Sequence, residues 1–65
     1  MTQAERENWL ANIEIVANTV AGELGWETVR AVLQRYDADS IDTLTPDNYT
    51  EVFSELFTIE ADMKD

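Results

Sequence analysis

Hydrophobic residues recur at three- and four-residue steps along most of the chain, which is the spacing of amphipathic α-helices. The first stretch of this kind predicts a helix over about residues 3–23. Thr2 and Glu5 have the spacing of a capping box at its start, and Gly22 and Gly25 end it. The apolar positions that collect on one face of this helix are Trp9, Leu10, Ile13, Val16, Ala17, Val20, Ala21 and Leu24.

Two further apolar stripes predict a second helix over about residues 26–36 and a third over about residues 46–62. The third helix has strong start signals in Thr45 at the N-cap, Pro46 at the first helical position and Asp47 beside the positive end of the helix dipole. The residues that these two stripes place in the core are Trp26, Val29, Val32, Leu33, Tyr36, Tyr49, Val52, Phe53, Leu56, Ile59 and Met63.

These elements predict an all-α fold, a small three-helix bundle formed by a single helical domain over residues 1–65. Between the second and third helices, residues 37–42 form a turn-rich loop, and we expect Ile41 and Leu44 to hold this segment against the core. The chain has no cysteine and no histidine, so disulfides and the usual zinc ligand sets are absent. Aliphatic and aromatic side chains must therefore supply the core.

The acidic residues are concentrated in the second half of the chain. Residues 36–65 carry nine Asp and Glu against one Lys, a net charge of −8, whereas residues 1–35 carry five Glu against three Arg, a net charge of −2. Such self-repulsion does not stabilise a small domain, so the asymmetry indicates a basic partner. The total charge of −10 argues against binding nucleic acid directly or docking on an anionic membrane.

Four acidic residues of the predicted third helix fall within an arc of about 80°, away from its apolar stripe. No Lys or Arg interleaves between the first three, although an ordinary solvated helix face mixes charges of both signs. This pattern predicts a row of carboxylates that docks on a basic surface, extended by acidic residues of the loop. The alternative is an acidic surface that serves only solubility. The predicted partner-binding residues are Asp37, Asp39, Asp42, Asp47, Glu51, Glu55 and Asp62.

Two apolar positions predict a different kind of contact. Ile15 points almost opposite the apolar face of the first helix, and Phe57 lies about 100° from the centre of the stripe on the third. Together with the tryptophans, they are candidates for apolar contact with a partner, including a second copy in a homodimer. Glu60 falls among core positions, and it either reaches outward to solvent or pairs with Arg30 or Arg35.

The chain lacks the residues that most catalytic and metal sites require. Without His or Cys, catalysis would depend mainly on carboxylates in a cleft that a bundle of 65 residues has little room to form. Residues 37–48 match a calcium loop poorly, because Ile41, Asp42 and Asn48 stand where an oxygen ligand, a glycine and an acidic residue are needed. We therefore expect no enzyme, no metal and no cofactor. The absence of a membrane-spanning apolar run or a signal-peptide pattern predicts a cytoplasmic protein.

In size, in charge and in the stretch from Thr45 to Phe57, the chain resembles the small acidic helical proteins encoded by phages and mobile elements, which include many anti-CRISPR and anti-restriction inhibitors. The resemblance implies a non-enzymatic inhibitor, in some cases a nucleic-acid mimic, that binds a host defence nuclease such as a CRISPR effector. Such an inhibitor blocks the nucleic-acid channel or a conformational step of its target. The alternative is a helical dimerisation or scaffold module that uses apolar surface.

Overall fold

The computed structural model describes residues 1–63 and shows three α-helices over that range. They are α1 (Gln3–Leu24), α2 (Trp26–Gln34) and α3 (Tyr49–Met63), and two 3₁₀ turns, Ile41–Thr43 and Pro46–Asn48, lie between α2 and α3. The prediction of an all-α three-helix bundle is confirmed.

The predicted capping box at the start of α1 is present. The backbone N–H of Glu5 donates to the Thr2 hydroxyl at 3.2 Å, and the Thr2 N–H donates back to the Glu5 carboxylate at 3.3 Å. The helix ends at Gly25, whose φ of 89° requires the freedom of a residue without Cβ. Gly25 is the one residue between α1 and α2, so the chain reverses there and α2 packs against α1.

α2 ends two residues earlier than predicted because the chain closes a Schellman motif. Asp37 adopts a left-handed conformation with φ 57°, and its N–H donates to the carbonyl of Gln34 at 3.1 Å. The N–H of Ala38 reaches back to the carbonyl of Leu33 at 3.1 Å, and both of these side chains are buried. Asp37 thus stands at the position that glycine normally occupies.

We expect Asp37→Gly to stabilise the fold by about 0.5–1 kcal/mol, because glycine removes the steric cost of a Cβ at positive φ. Urea unfolding measures the change. Asp37→Ala is the matched control, since it removes the same charge from the helix C-terminus but keeps the Cβ. Equal stabilisation by Gly and Ala would show that charge, and not backbone conformation, is responsible.

The start of the third helix differs from the prediction. Residues Pro46–Asn48 form a 3₁₀ turn and α3 begins at Tyr49. The Thr45 side chain does not cap the backbone; its hydroxyl accepts a hydrogen bond from the Asn48 side-chain amide at 3.1 Å. Because a 3₁₀ turn advances about 120° per residue instead of 100°, Asp47 is shifted by about 20–40° from the position that a continuous α-helix would give it relative to Glu51.

α1 and α3 run parallel, and side-chain contacts fix their register. The Arg6 Nε donates to the Tyr49 hydroxyl at 3.1 Å, and the rings of Trp9 and Phe53 meet edge to face with centroids 6.0 Å apart. A residue of α1 therefore lies level with the residue of α3 about 44 positions later. The shared core comprises Ile13, Val16, Ala17, Val20, Val29, Val32, Leu33, Ala38, Ile41, Leu44, Tyr49, Val52 and Leu56.

Two predicted core residues are mostly exposed. Leu24 is 50% exposed and Trp26 is 53% exposed, because both lie where α1 ends and α2 begins. The expectation that Ile41 and Leu44 pack against the core is confirmed.

Candidate functional site

The candidate site is the acidic surface of the α2–α3 connection and of α3. Glu55 is half-buried, and the other six predicted partner-binding carboxylates are exposed. Within residues 1–63, none of these six carboxylates takes part in a hydrogen bond or an ion pair. They are therefore accessible to a partner. The six are Asp37, Asp39, Asp42, Asp47, Glu51 and Asp62.

A hollow of about 250 Å³ brings two of these carboxylates together with a third that was not predicted. Asp39 and Asp42 come from the connection after α2, and Glu14 comes from α1. The exposed indole of Trp26 forms another wall. Arg30 also lines this space, so the lining contains three acidic residues and one basic residue, and its net charge stays negative. We call this site the acidic hollow.

The acidic hollow has the composition of a receptor for a cationic side chain. An indole face attracts an ammonium or guanidinium group through its quadrupole, and carboxylates accept charge-assisted hydrogen bonds from it. Leu33 and Ile41 lie at the base of the hollow but are buried, so the apolar surface for the stem of a lysine or arginine comes mainly from Trp26. The arrangement is therefore suited to binding a basic side chain of a partner.

Sequence reasoning missed the contributions of Glu14, Trp26 and Arg30. The two charged residues lie on helices separated from the acidic loop in sequence, and only packing places them beside Asp39 and Asp42. The exposure of Trp26 could have been predicted from the sequence, because Trp26 directly follows Gly25 and is the first residue of α2, and the first residue of a helix lies at the edge of a bundle.

Glu55 does not present a free carboxylate. Arg35 at the end of α2 approaches it with 2.5 Å between Nη1 and Oε1, and the Tyr36 hydroxyl donates to its other oxygen at 2.7 Å. We expected no Lys or Arg to offset the charge of the acidic row. This is wrong for Glu55, because Arg35, just after α2, forms an ion pair with it. A largely exposed ion pair contributes roughly 0–1 kcal/mol to the free energy of unfolding. The main effect of the Arg35–Glu55 pair is therefore to hold the end of α2 on α3.

The hydrogen bond from Tyr36 to Glu55 raises the pKa of the Tyr36 hydroxyl above its ordinary value of 10.0. Burial and the negative charges of Glu55 and Glu51 act in the same direction, and Arg35 opposes them. A raised pKa means that the protonated phenol is favoured in the folded state. This contribution to stability is complete below the unfolded pKa and is lost as the pH rises through the folded pKa.

We expect Glu55→Gln to lower the pKa of Tyr36 towards its ordinary value, because the carboxylate that favours the protonated phenol is gone. A titration of tyrosine ring carbons by NMR separates Tyr36 from Tyr49. Glu51→Gln is the matched control, since it removes one charge nearby but leaves the hydrogen bond, and it should move this pKa less. An equal shift in the two variants would contradict the assignment to the hydrogen bond.

The remaining α3 carboxylates do not form one continuous row. Glu51 and Asp62 are 11 residues apart, which is about 16 Å along the helix axis, and Glu55 between them is paired. Asp47 lies in the 3₁₀ turn, outside the α-helical register. Glu51 borders a groove of about 690 Å³ that shares no lining residue with the acidic hollow. The predicted site is therefore divided into separate acidic patches.

The two exposed apolar positions are found as predicted. Ile15 is 65% exposed and Phe57 is 53% exposed. Phe57 stacks on Phe53 with ring centroids 6.0 Å apart, and Phe53 meets Trp9, so the three rings form a row along the α1–α3 seam. Glu60 is half-buried and engaged in an interaction, and it does not belong to the exposed acidic surface.

Over the described residues, no helix combines the length and the apolar character needed to cross a bilayer. Across residues 1–63, the carboxylates form no group of three that could hold a metal ion. Comparison of the chain with protein-family models, with curated proteins and with solved structures gives no match.

Proposed function

We propose that this protein is a non-enzymatic inhibitor or interaction protein that docks its acidic surface on a basic, nucleic-acid-binding surface of a host defence nuclease such as a CRISPR effector. It acts in the cytoplasm of the host cell. The acidic hollow is the centre of the contact and receives an arginine or lysine of the partner. The surrounding exposed carboxylates increase the association rate through long-range attraction.

The single observation that carries this proposal is the exposed indole of Trp26 beside three carboxylates. A surface that serves only solubility needs the charges but not a large exposed aromatic ring among them. Tryptophan is enriched among the residues that dominate interface energies, and its ring binds cations most strongly of the three aromatic residues. The combination is therefore better explained by binding of a basic side chain than by solubility.

The mode of action that follows is competition for a positively charged channel. Lysine and arginine side chains that line such a channel normally neutralise phosphates, and binding there releases counterions and depends strongly on salt. Carboxylates on a rigid helical scaffold meet the same side chains without offering a substrate. Bound protein and bound nucleic acid then exclude one another.

The test uses a panel of purified, guide-loaded CRISPR effector nucleases with fluorescently labelled target DNA. We expect the protein to displace DNA from at least one of them in an anisotropy assay, with competitive behaviour. Raising salt from about 50 to about 200 mM should weaken the protein's own binding to the nuclease, because its docking is electrostatic. Trp26→Ala should reduce inhibition by about tenfold or more.

Leu24→Ala is the matched control for Trp26→Ala. Leu24 is exposed to a similar extent near the same helix junction, but it does not line the acidic hollow. Equal losses in the two variants would show that the hollow has no special role. Inhibition that is indifferent to salt, or no binding to any nuclease of the panel, would overturn the proposed function.

A further inference from the structure

The outward face of α1 is uncharged over most of its length. From Asn8 to Gly22, the chain has a single charged residue, Glu14, although it carries 14 acidic residues in all. At 100° per residue, Glu14 lies about 130° from the centre of this face. The helix segment from Asn8 to Gly22 is about 21 Å long at 1.5 Å per residue. We define the α1 face as the four exposed residues Asn8, Asn12, Ile15 and Thr19.

A hollow of about 220 Å³ borders the α1 face and is lined by Glu5, Asn8, Trp9 and Asn12. These positions have the spacing i, i+3, i+4 and i+7, which is the diamond that receives a side chain from a facing helix in knobs-into-holes packing. Ile15, at 65% exposure, is the protruding aliphatic side chain on the same face. One helix surface thus carries both a knob and a hole.

We propose that the α1 face is the interface of a homodimer, in which two copies pack their first helices antiparallel about a two-fold axis at Asn12. The occupant of the face is a second copy of this chain. This inference does not rest on the proposed function, because it concerns another surface of the molecule.

Knob and hole are placed symmetrically about Asn12. Ile15 lies three residues after Asn12, and Trp9, in the wall of the hollow, lies three residues before it. An antiparallel two-fold pairing therefore brings Ile15 of each copy to the hollow of the other. A two-fold interface requires such self-complementarity, since the same patch is used twice.

Charge also favours pairing of two copies through this face, and it disfavours pairing through any acidic part of the surface. Two chains of net charge −10 repel one another wherever carboxylates meet. Pairing of the α1 faces keeps the carboxylates of the acidic hollow and of α3 away from the contact and leaves Glu5, in the wall of the receiving hollow, as a carboxylate at its edge. The amides of Asn8 and Asn12 make no hydrogen bond within the described chain, so they are available to the second copy.

The aromatic row extends the apolar surface beside the α1 face. Phe57 lies level with the middle of α1, because residues of the two helices are offset by about 44 positions. A typical stable interface buries about 800 Å² on each partner. That is nearly a fifth of the 4405 Å² surface of this chain. The α1 face has four residues, far fewer than the roughly 20–30 a side of such an interface, so we expect a weak dimer that forms at micromolar to submillimolar concentration.

Sedimentation equilibrium over a concentration series tests the proposal. The wild-type chain should show a monomer–dimer equilibrium, and Ile15→Lys should remain a monomer over the whole series. Leu24→Lys is the matched control, because it places the same charge at an exposed aliphatic residue on the opposite side of α1 and should dimerise as the wild type does. Ile15 is exposed, so its replacement leaves the core intact, which circular dichroism verifies.

Salt gives an independent readout. Dimerisation through the α1 faces should strengthen as salt screens the repulsion between the two acidic chains. Docking on a basic nuclease should weaken under the same change, so the two interactions respond in opposite directions. The proposal is overturned by a wild-type chain that stays monomeric up to about 1 mM, by Ile15→Lys dimerising normally, or by a dimer that salt dissociates.

The orientation of the two copies can be read by cross-linking, since the chain contains no cysteine. Asn12→Cys places two thiols across the two-fold axis, and we expect rapid disulfide formation under mild oxidation. Gln34→Cys, on the exposed side of α2, is the control and should cross-link slowly by random collision. Equal rates at the two positions would overturn the antiparallel arrangement at Asn12.

Discussion

Tyr49→Ala should remove about 3–5 kcal/mol from the free energy of unfolding, the range found when a large aromatic side chain is deleted from a core. Tyr49 is fully buried at the first position of α3, between the helices that the core joins. A single core in a domain of this length rarely supplies more than about 3–5 kcal/mol of total stability. We therefore expect this variant to be largely unfolded at room temperature, with low ellipticity and no cooperative urea transition.

Tyr49→Phe separates the ring from the hydroxyl in the same position. It keeps the packing and removes the hydrogen bond from Arg6, so it should cost about 1 kcal/mol and leave a cooperative transition. Urea unfolding gives the value for Tyr49→Phe, and the helical ellipticity of Tyr49→Ala without denaturant shows whether its loss exceeds the stability of the wild type. A loss below about 1 kcal/mol for Tyr49→Ala would contradict the central position of this ring in the core.

Neutralising the three carboxylates of the acidic hollow should weaken binding to the basic partner by about 100-fold or more at low salt. The variant combines Glu14→Gln, Asp39→Asn and Asp42→Asn, which takes the formal charge of the chain from −10 to −7. The loss is large because a desolvated guanidinium or ammonium group would be left beside an indole with no anionic partner. Titration against the nuclease identified by the anisotropy assay measures the dissociation constant.

Two other triple variants carry the same charge of −7 and serve as comparisons. Glu7→Gln, Glu23→Gln and Glu27→Gln alter exposed acids of α1 and α2 outside the hollow, so binding should stay close to that of the wild type. Asp47→Asn, Glu51→Gln and Asp62→Asn alter the exposed carboxylates of α3 and of the 3₁₀ turn before it, which should slow association without changing dissociation much. Equal losses in all three variants would mean that net charge alone drives the interaction.

The helices and most of the core follow from local sequence patterns. The spacing of apolar residues places Ile13, Val20 and Leu56 on buried faces, and the Thr2–Glu5 capping box marks the start of α1. These features depend on residues close together in the chain, which is why sequence reasoning finds them. The early end of α2 is different, because a left-handed Asp37 gives a weaker local signal than glycine would.

The candidate site was harder to predict because its charges are arranged by tertiary packing. Helical periodicity correctly places Glu51 and Glu55 on one side of α3, but it contains no information that Arg35 of α2 reaches Glu55. Periodicity likewise gives no indication that Glu14 of α1 lines the same hollow as Asp39 and Asp42. The exposure of Ile15 and Phe57 was predicted correctly, since both lie in the middle of a helix, where the angle from the apolar stripe is a good guide to burial.

The contacts of Arg6 with Tyr49 and of Trp9 with Phe53 join segments more than 40 residues apart in the chain. Closing a loop of that length costs entropy that is recovered only when the first and last helices meet. Neither helix therefore has a stable folded state of its own here, and detachment of one exposes the apolar face of the other. Amide protons of α1 and α3 should accordingly exchange with solvent through the same cooperative opening.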